Sequence, residues 1–199
     1  LLEQLTPADF ERHITVNLLG PAWTCRAAWP HMRAKGYGRI VNIASGAIAG
    51  AAGLSAYGAS KGGVFSLTRS LASEGEPLGI KVNSVNPAGF SRLVIATQNE
   101  GSFIYNNSLT QPAELASPVV AYLAHEDCAV NGECIEAIGG AVRRFYVAST
   151  RGFADPNLSV EVVAERWAEV MDGAAPEVIR YGDHQLVEGA RAYDPASRP

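Results

Sequence analysis

Three observations predict an α/β fold, with a parallel sheet flanked by helices. Residues 39–44 (Arg-Ile-Val-Asn-Ile-Ala) and 80–86 (Ile-Lys-Val-Asn-Ser-Val-Asn) are short apolar runs that read as buried strands. Between them, about twenty residues from Ala56 carry Val64, Phe65, Leu67, Leu71 and Ala72 at helical spacing. Pro87-Ala88-Gly89 closes the second run as a breaker. The result is one strand–helix–strand crossover, expected to be right-handed.

The elements follow in order. Thr6-Pro7-Ala8-Asp9 is a helix start, a cap residue followed by proline in the first turn. The helix it opens should run toward Lys35-Gly36, bent or interrupted at Pro21 and Pro30. The strand at 39–44 gives way to Ser45-Gly46 and a loop of small residues. Residues 89–111, rich in Gly, Ser, Asn and Gln, read as a mobile loop: a lid or a plain connection. Pro112 opens a helix over 113–125 with Leu115, Val119, Val120 and Leu123 on one side. Residues 142–150 read as an extra strand. Over 158–171, Val163, Trp167, Val170 and Met171 recur at helical spacing, for core packing or for a partner. From Ala174 onward the chain reads as a loosely held tail. The organisation expected is 1–150 as one domain and 151–199 as an extension.

Composition narrows the functional classes. With 199 residues, 47% hydrophobic and 18% charged, the chain can bury one sizeable core. The net charge of −4 and the lack of a basic block argue against a nucleic-acid partner. No apolar run approaches membrane length, so no membrane association is expected. Cys25, Cys128 and Cys134 form no CxxC, and the four histidines do not cluster with them. Neither zinc nor any other metal is expected, and a reduced, cytoplasmic setting is.

Tyr57 and Lys61 are the residues that suggest chemistry. Four apart at the start of a helix, they project from one face. A free phenol titrates near pH ~10, and a neighbouring cation favours its phenolate. Such a pair can act as general acid and base on an alcohol or carbonyl oxygen. Chance supplies few such pairs: seven Tyr and three Lys in 199 residues give roughly 0.1. The plain alternative is an exposed helical pair. Ser45 stands at the carboxyl end of a predicted parallel strand, where open α/β sheets place ligands. It could equally be a turn residue, and Asn17 an amide bonded to its own backbone.

Ile-Val-Asn-Ile-Ala-Ser45, Tyr57-Gly-Ala-Ser-Lys61, Val82-Asn-Ser-Val-Asn-Pro87 and Val16-Asn17-Leu-Leu-Gly20 together resemble the short-chain dehydrogenase/reductase family. The resemblance covers roughly residues 1–140. It implies a Rossmann-like doubly wound parallel sheet, present here as its C-terminal half with about three parallel strands. Glu133 to Gly140 resembles the last parallel strand with its glycines, and 89–111 the segment that covers the substrate. Carried over, Tyr57 exchanges the proton with the reacting oxygen. Lys61 lowers the phenol pKa and holds the nicotinamide ribose. Ser45 hydrogen-bonds the carbonyl, and Asn17 holds a water in a proton relay to Lys61. Pro87 and Gly89 join Tyr57 and Lys61 on the cofactor, NAD or NADP. Residues 83–92 and 113–172 are similar to the dehydrogenase unit of peroxisomal multifunctional enzyme type 2 and its bacterial relatives. That implies oxidation of a secondary alcohol to a ketone, on a 3-hydroxyacyl-CoA or steroid-like acyl-CoA, by a homodimer or homotetramer.

No G-x-x-x-G-x-G or G-x-G-x-x-G phosphate loop occurs in the sequence, so these 199 residues alone are expected to bind NAD(P) weakly or not at all. A non-catalytic partner chain of the same fold is therefore a second reading. It would expose strand 39–44 as an open edge prone to pairing with another chain. A third reading takes Gly58-Ala-Ser60-Lys-Gly62 as a serine-hydrolase elbow, which requires Ser60 on a sharp strand-to-helix turn and a partner such as His184.

Overall fold

The computed structural model describes residues 1–182 and divides into two compact units, Leu1–Phe145 and a second that begins at Tyr146. In the first unit, helix α1 (Pro7–Ile14) starts on a reciprocal cap. The Thr6 hydroxyl accepts from the Asp9 amide, and the Asp9 carboxylate accepts from the Thr6 amide and hydroxyl. Those bonds hold the Asp9 carboxyl below its usual range.

The expected single helix is split in a specific way. α1 passes into a π turn, Thr15–Leu19, before α2 (Gly20–Lys35) begins. Pro21 has no N–H to offer the Asn17 carbonyl, and its ring would collide with that carbonyl in a regular helix. The chain widens instead, and the Gly20 amide reaches back five residues to the Thr15 carbonyl. Pro30 is carried inside α2, which ends on Gly36 in the left-handed conformation, φ 61°.

The sheet runs β1 (Gly38–Ile43), β2 (Ile80–Ala88), β3 (Cys134–Ile138) and β4 (Ala141–Phe145) in that order. The first three strands are parallel, and β4 returns antiparallel after the Gly139-Gly140 turn. β2 continues two residues past the predicted end at Asn86 and pairs Pro87 with Ala137. The Val85 carbonyl accepts from the Ala44 amide, whereas the Ser84 amide bonds toward β3. Odd-numbered residues of β2 therefore turn their peptide groups toward β1, which has ended by Pro87. The missing N–H breaks no ladder bond.

α3 (Ser55–Gly75) is the crossover and packs on β2. Val64, Phe65, Thr68 and Ala72 are buried beneath it. Leu67 and Leu71, predicted to share that face, instead line a groove against Arg26 and Trp29 of α2. On the opposite face, Val85, Leu123, Cys128 and Ala137 form a core onto which Val119 and Val120 pack. Leu123 belongs to α6 (Ser117–Ala124), which follows a 3-10 turn at Ala113–Ala116. Leu115 lies on that turn and is exposed, off the predicted stripe. Residues 89–111, expected to be irregular, contain α4 (Arg92–Thr97) and α5 (Phe103–Ser108). Ser91 and Ser102 cap them, the polar residues doing a structural task that composition alone conceals.

In the second unit, β5 (Ala148–Ser149) pairs antiparallel with β6 (Glu177–Val178). The predicted strand over 142–150 is thus two strands in two units. The predicted amphipathic helix breaks into α7 (Val160–Glu165) and α8 (Trp167–Val170) at Arg166. The Arg166 guanidinium is drawn to the Glu169 carboxylate at 2.8 Å and lies 4.0 Å from the centre of the Phe153 ring. Trp167 is 53% exposed and Met171 65%, so the stripe does not form a core. β6 also places two residues of the expected loose tail in a strand. The remainder, 183–199 with His184, lies outside the described residues. Among the described residues, no helix is long and apolar enough to cross a membrane, and no group of three potential metal ligands occurs.

Candidate active site

Tyr57 and Lys61 lie on the first turns of α3. Ser45 follows β1 and caps a 3-10 turn at Gly46–Ala49, its Oγ accepting from the Ala47 amide at 3.2 Å. The hydroxyl proton is not spent in that bond and can be donated outward. This turn packs on α3 because Gly58, one residue past Tyr57, has no side chain. A Cβ there would lie 3.0 Å from the Ala47 carbonyl oxygen. Gly63 plays the same part for the π turn: a Cβ would meet Leu18 at 2.8 Å. Two glycines that flank Tyr57 and Lys61 thus admit the segments carrying Ser45 and Asn17.

Tyr57 is half-buried, and the Lys61 Nζ lies 5.8 Å from the centre of its ring. Lys61 is buried and donates to the Ile43 carbonyl at 2.7 Å. Burial depresses its pKa below 10.5, since a desolvated ammonium is costly. Asn17 sits at the centre of the π turn and lines, with Lys61, a groove of about 430 Å³ that runs along β1. Its Nδ2 donates to His13 Nδ1 at 3.4 Å, and the His13 ring meets the Tyr57 ring edge-on, with centroids 6.0 Å apart. His13 was not singled out by the sequence reading. Its one signal there is its place four residues before Asn17, one helical turn away.

Pro87 and Gly89 lie at the carboxyl end of β2. Gly89 is packed: a Cβ would fall 2.7 Å from Ala113 Cα. Ser60 does not fit a nucleophile. It is fully buried inside α3, donates to the Tyr57 carbonyl at 2.7 Å, and lies on no strand-to-helix turn. All three cysteines are buried free thiols, and burial raises the pKa of Cys25 and Cys134.

Comparison with known proteins shows the family. The family model described as short chain dehydrogenase matches residues 1–101. A short-chain type dehydrogenase/reductase of Mycobacterium tuberculosis is 38% identical over 166 residues, 82% of this chain and 56% of that protein. The peroxisomal hydratase-dehydrogenase-epimerase of Saccharomyces cerevisiae is 33% identical over 175 residues, 85% of this chain and 19% of that enzyme. Among solved structures, full-length peroxisomal multifunctional enzyme type 2 of Drosophila melanogaster superposes with a TM-score of 0.75 at 28% identity. That match covers 88% of this chain and 32% of the fly enzyme. The chain thus spans well under two thirds of the length of each of these relatives. With that model matched over residues 1–101, and 38% identity to the Mycobacterium tuberculosis protein over 82% of its own length, the chain belongs to the short chain dehydrogenase family.

Proposed function

We propose that this chain carries the catalytic part of an NAD(P)-dependent oxidoreductase that interconverts a secondary alcohol and a ketone. The observation that carries this reading is the buried Lys61 ammonium beside the Tyr57 ring, at the carboxyl end of the parallel strands. Tyr57 gives its phenolic proton to the substrate oxygen in reduction and takes it back in oxidation. The unspent hydroxyl proton of Ser45 donates to the same oxygen, where negative charge grows along the reaction.

The nicotinamide cofactor, when bound, supplies or accepts the hydride. The residues present fit its ribose end. Lys61 has three ammonium protons and directs one to Ile43, which leaves two for ribose hydroxyls. Pro87 and Gly89, where β2 ends, join Lys61 on the cofactor in this reading. Asn17 lines the groove beside Lys61 and holds the water through which protons pass between that amine and solvent.

The substrate in this reading is a 3-hydroxyacyl-CoA or a steroid-like acyl-CoA. The likeness to peroxisomal hydratase-dehydrogenase-epimerase and multifunctional enzyme type 2 supports it. Leu93 on α4, 70% exposed, offers an apolar contact for the acyl chain. Association as a homodimer or homotetramer in this reading uses the helix pair α2 and α3, whose groove is lined by Trp29, Leu67 and Leu71. The cytoplasmic setting belongs to the same reading, for which three unpaired cysteines are the support. The test is NAD-linked oxidation of a 3-hydroxyacyl-CoA, followed as NADH absorbance. Turnover that falls by about 10²–10⁴ in Tyr57→Phe with unchanged unfolding is the expected result. Full turnover in that variant contradicts the assignment.

A further inference from the structure

The turn that leads into β3 carries the one Asn-Gly pair of the sequence, Asn131-Gly132, and the fold uses both residues. Asn131 is a bracket. Its Oδ1 accepts from the Val82 amide at 2.9 Å, and its Nδ2 donates to the Ala72 carbonyl at 3.1 Å, which ties the turn to β2 and to α3. Gly132 completes the bracket by donating its amide to the Val82 carbonyl at 2.9 Å. It does so at φ 71°, in the left-handed region that glycine adopts without strain. Asn83 latches the same turn from β2, through the Val130 carbonyl and the Glu133 amide.

An asparagine followed by glycine is also a chemically labile pair, because no side chain shields the amide nitrogen that follows. That nitrogen can attack the asparagine Cγ. A new N–Cγ bond closes a cyclic imide, the Cγ–Nδ2 bond breaks, and ammonia leaves, taking up the proton that the backbone nitrogen gives up. Water then opens the imide at one of its two carbonyls, to aspartate or to isoaspartate. In this fold each reacting group is held elsewhere. Val82 binds the attacking amide and the Cγ oxygen, and Ala72 binds the leaving nitrogen.

We propose that Asn131 is a deamidation site gated by the opening of this turn: it keeps its amide while the bracket is closed and loses it irreversibly once the turn lifts from β2. Gly132 is buried and Asn131 half-buried, so the opening is a local unfolding event. The products cannot re-form the bracket. Aspartate has no side-chain proton for the Ala72 carbonyl and sets a carboxylate against it, and isoaspartate lengthens the main chain and moves Gly132 off Val82. The site therefore records how often the entry to β3 has opened.

The test incubates the 199-residue chain at one pH and temperature, folded and in guanidinium. A glutamate-specific protease then releases residues 127–133, whose change from amide to acid is followed by mass, with isoaspartate detected by enzymatic methyl transfer. Opening is fast against this chemistry, so the rate follows the population of the open turn. The folded chain should lose the amide at least roughly tenfold more slowly than the denatured one. Equal rates overturn the proposal. Two folded variants, each checked by circular dichroism, separate a local gate from global unfolding. Asn83→Ala unlatches the turn and should raise the rate roughly 5- to 100-fold. Val64→Ala weakens the core under α3 away from the turn and should leave the rate at the parental value. Equal acceleration in both variants, or none in Asn83→Ala, overturns the local gate. Asn131→Asp should unfold at a lower denaturant midpoint than the parent, and an unchanged midpoint contradicts the loss of the bracket in the product.

Discussion

The two faces of the sheet are built on opposite principles. Toward α6, Val85, Leu123, Cys128 and Ala137 exclude water, and the one buried amide of β2 on that side is bonded at both its nitrogen and its oxygen. Asn83 donates to the Val130 carbonyl and accepts from the Glu133 amide, clamping the approach to β3. Toward α3, the side chains of β2 grade from Ile80 and Val82 to Ser84 and Asn86 as the strand nears its carboxyl end. Asn42 spans Thr68 and Cys25, Lys61 is buried, and neither amide atom of Asn86 has a protein hydrogen-bond partner. Burying polar groups is costly unless they are bonded. The α6 face is thus packed by apolar groups, whereas the α3 face adds to its apolar base a set of buried polar groups toward the carboxyl end of the strands.

The largest break of this comparison is on the apolar face. Leu123→Ala should cost about 2–5 kcal/mol in denaturant unfolding, because the packed core cannot close over the gap. Specific activity per folded molecule should be unchanged, and a parallel loss of both would blur the division. A middling effect separates two asparagines three residues apart. Asn83→Ala strands the Glu133 amide and leaves the Val130 carbonyl only the Cys128 thiol, and should cost about 1–3 kcal/mol. Asn86→Val removes no protein bond and should cost less than half as much, or stabilise. Equal costs in the same unfolding experiment would contradict the distinction.

The smallest effect is a slope. Burial lowers the pKa of Lys61 in the folded chain beneath its unfolded value of 10.5. Between the two values the unfolded state binds more protons, so stability rises with pH there, and the charging cost is full below that window. Lys61→Met abolishes this dependence. Its stability relative to the parent should decline as pH climbs from neutrality toward 10.5, and parallel curves would refute the burial of a charged amine.

The crossover was legible because periodicity, breakers and spacing all agreed over residues 39–89. The elements that carry Tyr57, Lys61 and Ser45 were legible for the same reason. The π turn was not. Its cause is the four-residue offset between Asn17 and Pro21, which a pattern of apolar residues does not register. α4 and α5 were hidden because Ser91 and Ser102 read as loop residues until their caps are seen. Trp167 and Met171 misled for a different reason. Helical spacing predicts a stripe, but Arg166 turns toward Glu169 and Phe153 and breaks the helix that the stripe requires. The ring contact of His13 with Tyr57 was not legible because it depends on α1 lying against α3, a contact between segments far apart in sequence.

The central claim is that Tyr57 and Lys61 work as one acid–base unit, and a double-substitution experiment tests it most directly. Turnover is compared for Tyr57→Phe, Lys61→Met and the pair. The account predicts that the double variant is no slower than Tyr57→Phe, since the amine has nothing left to serve once the phenol is gone. Losses that multiply, each substitution costing as much alone as in company, would contradict it.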